Sequence, residues 1–421
     1  MPHYSNEAGL EFTAASAAAV QAFDRTIHAY ASFRRTVADC LKETLTLDPN
    51  MPMALVLKGC FMNYMGMTPL LAKAAQAAAA AEALATDATP RERTHIAALQ
   101  AWTAGDYRNA IARWEGILRE HPHDFLALKL ANYLQFYLGE PVSMRDSVRR
   151  VLGSWDPRMP CYGYVRTLLA FGLEETGDYA EAEAIARQSL SADPLDIWAV
   201  HAVAHVMEAQ GRYQEGVRFL GEREADWDSG HNFRYHLWWH RALFHIGLRQ
   251  LDVVLALYDE RIWDPRSDEY LDLCNDASLL LRLELAGINV GARWQPLLDK
   301  VRNRRDEHIF AFVDAHFLLA LAANRAPEAQ LMLDSLRVLA ANGKTTTAAV
   351  TRYVGLALCE GIAAHRAGDY AKTVTWLAPR RERLQAIGGS HTQRDVFQQL
   401  LADAATRSGV SLDATESASR L

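Results

Sequence analysis

Apolar residues recur at three- and four-residue spacing along nearly the whole chain, and no segment alternates apolar and polar positions between hairpin turns. That pattern predicts helices of ordinary length and almost no strand. Gly-Asp, Asp-Pro and His-Pro pairs interrupt it at intervals, as turn chemistry requires. The interruptions themselves repeat. Gly105-Asp106-Tyr107, Gly177-Asp178-Tyr179, Gly211-Arg212-Tyr213 and Gly368-Asp369-Tyr370 each join two helical stretches.

The middle two of these turns stand 34 residues apart (177 to 211), the period of the tetratricopeptide repeat. Glycine permits the tight helix–helix turn, and small residues such as Ala110 and Ala182 let paired helices approach. Pro122 and Pro194 close their units because proline cannot continue the hydrogen-bond ladder. Degenerate units are expected over 124–152, 233–262 and 308–336. The expected fold is therefore all-α, a tetratricopeptide-like helical-repeat superhelix of antiparallel helix pairs. Its expected parts are an N-terminal helical region over 1–90, a repeat array over 91–408 and a polar C-terminal tail over 409–421, with no linker splitting the array.

Composition narrows the function classes. Half of the 421 residues are apolar and 23% are charged, enough for a sizeable core without disulfides. Forty-four basic against fifty-one acidic side chains leave a net charge of −7. No basic excess is available to neutralise phosphates, so nucleic acid is not an expected partner. The five cysteines, Cys40, Cys60, Cys161, Cys274 and Cys359, are scattered and form no Cys-x-x-Cys pair. That argues for a reducing, cytoplasmic setting and against a zinc ribbon. The first residues carry no secretory signal pattern, and no run approaches the roughly 20 apolar residues of a membrane helix, so no membrane partner is expected. Neither a Walker loop, a Gly-x-Gly-x-x-Gly turn nor a Gly-x-Ser-x-Gly elbow is present.

The chemistry concentrates in two helices. In 197–209, Val200, Val203, Ala204 and Met207 form one stripe at helical spacing, and Trp198, His201, His205 and Glu208 form another. The second stripe is expected to line the inner groove of the repeat. In 235–245, His236, Trp239 and His240 fall on the groove face, while Trp238, Ala242 and His245 fall between helices. Asp314 is placed on the same surface in its own unit, with Tyr164 and Glu174 upstream and Lys129 further along.

His-x-x-x-His sets two imidazoles on one helix face, close enough for one metal ion to bridge. A carboxylate nearby can orient an imidazole or act as a base toward water. Without metal, neutral imidazoles still serve as acids and bases near neutral pH. Most helical histidines are structural, and His245 is assigned to packing, with His121, His123 and His365 at turns or the surface. Four groove-facing imidazoles on adjacent helices are an unusual use of polar residues. His201, His205, His236, His240, Glu208 and Asp314 are therefore the candidate catalytic groups, and Trp198, Trp239, Tyr164 and Glu174 the candidate ligand-binding walls. The full His-Glu-x-x-His signature is absent, so a divalent metal on the four histidines stands behind a metal-free site. Gly388-Gly389-Ser390 reads as a helix start with Ser390 as its cap.

Several blocks resemble the tetratricopeptide repeat protein 38 family: 128–139, 144–148, Trp198 to Glu208, Tyr235 to His240, Phe312 to Phe317 and Gly388 to Phe397. They run in the same order from about residue 128 to 400. The resemblance implies an all-helical repeat superhelix and implies no particular reaction. Taken with the groove stripes, the expected function is binding of a small organic ligand, with hydrolysis, hydration or elimination as the expected chemistry. The competing expectation is a protein-interaction scaffold that holds a peptide in its groove.

Overall fold

Gly105, Gly177, Gly211 and Gly368 all adopt φ between 68° and 87°, the left-handed region that costs other residues a steric penalty. Each ends one helix and starts its partner. Pro90–Thr103 is followed by Tyr107–Glu120, Tyr162–Glu174 by Tyr179–Ala192, Ile197–Ala209 by Tyr213–Glu222, and Leu356–Arg366 by Tyr370–Leu377. The aspartate after the glycine has its own task. Asp106 and Asp369 cap the second helix by accepting from the Asn109 and Lys372 backbone N–H groups. The degenerate units are helix pairs as expected: Phe125–Tyr137 then Pro141–Leu152, Arg234–Gly247 then Leu251–Leu257, and Ala311–Ala323 then Pro327–Asn342.

The computed structural model describes residues 2–228, 233–410 and 412. Across these residues the chain is an all-α helical-repeat protein. Most of the polar tail expected over 409–421, namely 411 and 413–421, lies outside the described residues. Among the described residues no helix is long and apolar enough to cross a membrane.

One strand pair departs from the helical expectation. His3–Ser5 pairs antiparallel with Glu11–Thr13, Tyr4 opposite Phe12. Three residues per strand are too few to leave an alternating pattern. The hairpin is held by the buried Glu92 carboxylate, which accepts from the Thr13 N–H at 2.9 Å and the Thr13 hydroxyl at 2.6 Å. Glu92 also completes a capping box with Thr89 at the start of Pro90–Thr103.

The chain divides into two compact units, residues 1–135 with 141–237, and residues 136–140 with 238–421. In the first, Phe23, Met51, Met53, Trp114 and Phe171 are among the largest fully buried side chains. In the second, Phe244, Phe312, Phe317 and Phe397 fill that place.

The short segment 136–140 is built tightly into the second unit. Tyr137 stacks on Phe310 with ring centroids 4.2 Å apart and meets Tyr270 edge-on. The Gln385 amide donates to the Gly139 carbonyl at 2.9 Å. A Cβ on Gly139 would strike the Gln385 backbone, and one on Gly388 would strike the backbone of Tyr137. Gly388 and Gly389 thus serve close approach as well as the turn. Ser390 then caps His391–Ser408 in a capping box with Gln393, as the sequence predicts.

Candidate functional site

Asp196 opens Ile197–Ala209 by accepting from the Trp198 and Ala199 backbone N–H groups. Burial raises its carboxyl to about 7 in spite of those two bonds. The cap fixes the phase of the helix, and His201 and His205 follow one turn apart on one face. Both are buried. Their rings meet nearly perpendicular, with centroids 4.4 Å apart.

His236, buried in the first turn of Arg234–Gly247, joins them. Its Nε2 lies 3.2 Å from His201 Nε2. One ring nitrogen from each of the three lies within 4.8 Å of the others. The buried Glu174 carboxylate, from the end of Tyr162–Glu174, comes within 3.5 Å of His205 Nδ1. The surround is aromatic. Phe171 lies 5.2 Å from both His201 and His205, Phe233 lies 5.0 Å from His201, and Trp198 lies 4.7 Å from His201.

Trp198 belongs to a second feature of the same unit. Phe33 stacks on it at 5.2 Å. The Lys129 ammonium sits 4.2 Å from the Phe33 ring, 5.1 Å from Tyr30 and 5.6 Å from Trp198. Lys129 is thus a buried cation in an aromatic cage. Burial lowers its amine to about 8, with Asp196 and Cys161 pulling the other way.

Tyr164 and Asp314 have other partners. Glu208 is half-buried near the end of the same helix, and it is Glu174 whose carboxylate comes within 3.5 Å of His205. The Tyr164 hydroxyl donates to Asp193 at 3.3 Å and its ring meets His28 edge-on. Trp239 and His240 continue the helix that carries His236, are buried, and are counted with the second unit. There the Arg282 guanidinium lies over the Trp239 ring at 5.6 Å. Asp314, also in the second unit, accepts from His308 Nδ1 at 3.0 Å. His245 bonds Gln250 at 2.6 Å, in keeping with a packing role. His365, expected at a turn or the surface, stands in the last turn of its helix. It is buried, with Nε2 2.8 Å from Asp403, because the last turn of its helix packs inward.

Sequence reasoning also missed a cavity of about 380 Å³ in the first unit, lined by Asp24, His28, Arg91, Asp124, Phe125 and Cys161 among others. None of the clustered histidines lines it. At its wall Arg91 and His95 both engage Asp124, at 2.6 and 2.9 Å. Burial alone would raise the Asp124 carboxyl, but those two partners outweigh it and hold it well below the usual carboxylate range. The available signal was Arg91, Glu92 and His95 on the inward face of an otherwise ordinary helix.

No family model matches the chain. Among solved structures, one titled "Structure of Naa15/Naa10 bound to HypK-THB" is similar over 93% of this chain at 13% identity, with a TM-score of 0.28. This chain spans 66% of that one, just under two thirds of its length. The fold therefore rests on the helix pairs described above.

Proposed function

We propose that this is a tetratricopeptide-like repeat protein, related to the tetratricopeptide repeat protein 38 family, that binds a small organic ligand beside the clustered imidazoles of its first unit. The observation that carries the reading is three buried histidines turned toward one another, with a carboxylate behind one of them. Proteins rarely bury so much imidazole in one place without a use for it, because each ring brings two polar nitrogens that need partners. Trp198 links the cluster to the Lys129 cage, so a ligand held there meets a cation over aromatic faces and imidazoles at one edge. That combination suits an organic anion. His201, His205 and His236 would move protons, with Glu174 holding His205 in one tautomer. Hydrolysis, hydration and elimination are the reactions such a set serves best. Tyr164 and Glu208 would border the ligand.

The test is retention of small molecules. Purified protein is incubated with a metabolite extract, washed, denatured, and the released compounds are identified by mass spectrometry, for wild type and for His201→Gln. A compound kept by wild type and lost by the folded variant supports the reading. Equal retention by both, or none by either, sinks it and leaves an interaction scaffold as the better description.

A further inference from the structure

We infer that His201, His205 and His236 are the ligands of a divalent transition-metal cation of the zinc class, with Glu174 orienting His205 from outside the ligand set. Three distances support this. In a tetrahedral shell with metal–nitrogen bonds of about 2.0–2.1 Å, neighbouring nitrogens stand about 3.3–3.4 Å apart. The His201 and His236 Nε2 atoms are already 3.2 Å apart. A proton shared between two rings would explain that single distance, but it does not require a third imidazole. Here one nitrogen of each ring lies within 4.8 Å of the other two, so small side-chain rotations close the set. The third distance is Glu174 to His205 Nδ1, 3.5 Å. A carboxylate facing Nδ1 is placed so that, on closing to hydrogen-bond distance, it would direct Nε2 toward the cation, the arrangement by which proteins fix the tautomer of a metal-bound histidine.

The surroundings select the guest. Rings packed with centroids 4.4 to 5.0 Å apart leave room among them for an ion and not for an organic molecule. Imidazole donors favour zinc, cobalt, nickel or copper over magnesium and calcium, which prefer oxygen. Phe171, Phe233 and Trp198 provide a low-dielectric shell that strengthens the cation's pull on any oxygen it binds. Three neutral imidazoles, one carboxylate and a dication sum to one positive charge, so a fourth position would attract water or an anionic oxygen. Only this last step rests on the organic-ligand reading; the cation itself does not.

The experiment uses the full chain, stripped with a chelator and dialysed, then titrated calorimetrically with zinc chloride. One zinc per chain is expected. His201→Gln and His236→Gln should each weaken it by more than about 100-fold, and Glu174→Gln by about 10- to 100-fold, the usual cost of losing an outer partner. Failure of folded wild type to bind zinc overturns the inference, as does unchanged zinc binding by the His201→Gln/His236→Gln double variant. Circular dichroism shows whether each variant is folded. Should the histidine variants not fold, cobalt bound to wild type decides. Intense visible absorption of a tetrahedral site supports the assignment, and the weak absorption of octahedral cobalt overturns it. Retention of an organic compound by the stripped protein separates the two proposals. Retention without zinc binding sinks the cation and spares the ligand, and zinc binding without retention does the reverse.

Discussion

Two groups of histidines, four spread through the second unit and three clustered in the first, are spent differently. In the second unit each of four histidines has its own fixed partner: His245 the Gln250 amide, His308 the Asp314 carboxylate, His316 the Phe312 carbonyl at 2.7 Å, and His365 the Asp403 carboxylate. Those are the contacts of histidines that hold helices in place. In the first unit His201, His205 and His236 lie against one another, with a carboxylate at one edge. A buried imidazole with a carbonyl or carboxylate of its own needs no further explanation. Imidazoles grouped together point to something they hold in common. The same residue type in the same helical setting is thus structural in one group and a candidate site in the other, and the neighbours make the difference.

The largest effect that would sharpen this contrast is expected at His316. It is fully buried between Phe312 and Phe397, with ring centroids 4.3 and 5.0 Å away. His316→Ala should destabilise the protein by about 2–4 kcal/mol in a urea titration, through the cavity and the abandoned carbonyl. Zinc binding should not change. A loss below about 0.5 kcal/mol would break the claim that these four histidines are structural.

The next largest effect is a pair of opposite pH signatures. Burial lowers His316 to about 3, even though the Phe312 carbonyl favours its charged form. The unfolded chain then takes up a proton near pH 6.5 that the folded chain refuses, so stability falls as pH drops from 6.5 toward 3. His308 goes the other way. Burial would lower it, but the Asp314 carboxylate outweighs burial and raises it. Its contribution is complete below pH 6.5 and is lost as pH rises through the raised value. Unfolding free energies of His316→Leu and His308→Gln, measured from pH 5 to pH 8.5, should lose the acid-side and alkaline-side slopes respectively. Matching slopes in both variants would contradict the assignment.

The smallest effect belongs to the cluster. His201→Gln, measured without metal, should shift stability by less than about 1 kcal/mol, because glutamine keeps a polar tip inside the group. A loss as large as that of His316→Ala would mean the cluster holds the fold together, and the contrast would collapse.

How far the sequence foretold this depends on how local each feature is. The glycine turns, their aspartate caps and the helix pairs follow from short-range chemistry, and Gly105, Gly177, Gly211 and Gly368 announce them. The His201–His205 pair follows from helical spacing alone, and His236 from the expectation that first helices of successive pairs lie side by side. Glu174 was foreseen as a wall of the groove, while its approach to His205 depends on how two helices pack. The Lys129 cage needed Tyr30 and Phe33 from a helix and turn about a hundred residues before it, beyond what any periodicity reports. Three-residue strands leave no pattern, so the N-terminal hairpin was not visible. His365 looked peripheral because its helix ends one residue later, yet Asp403 from a distant helix covers it.

The segment 136–140 has a consequence for how the second unit can be made. Gly139 and Tyr137 are in place against Gln385 and Gly388, partners about 250 positions downstream. A ribosome would deliver this piece well before the rest of the unit it completes. No single scissor cut can therefore release that unit whole. A fragment beginning at Trp238 would lack this strip, and a short synthetic peptide spanning Phe136 to Glu140 would be the natural patch to restore it.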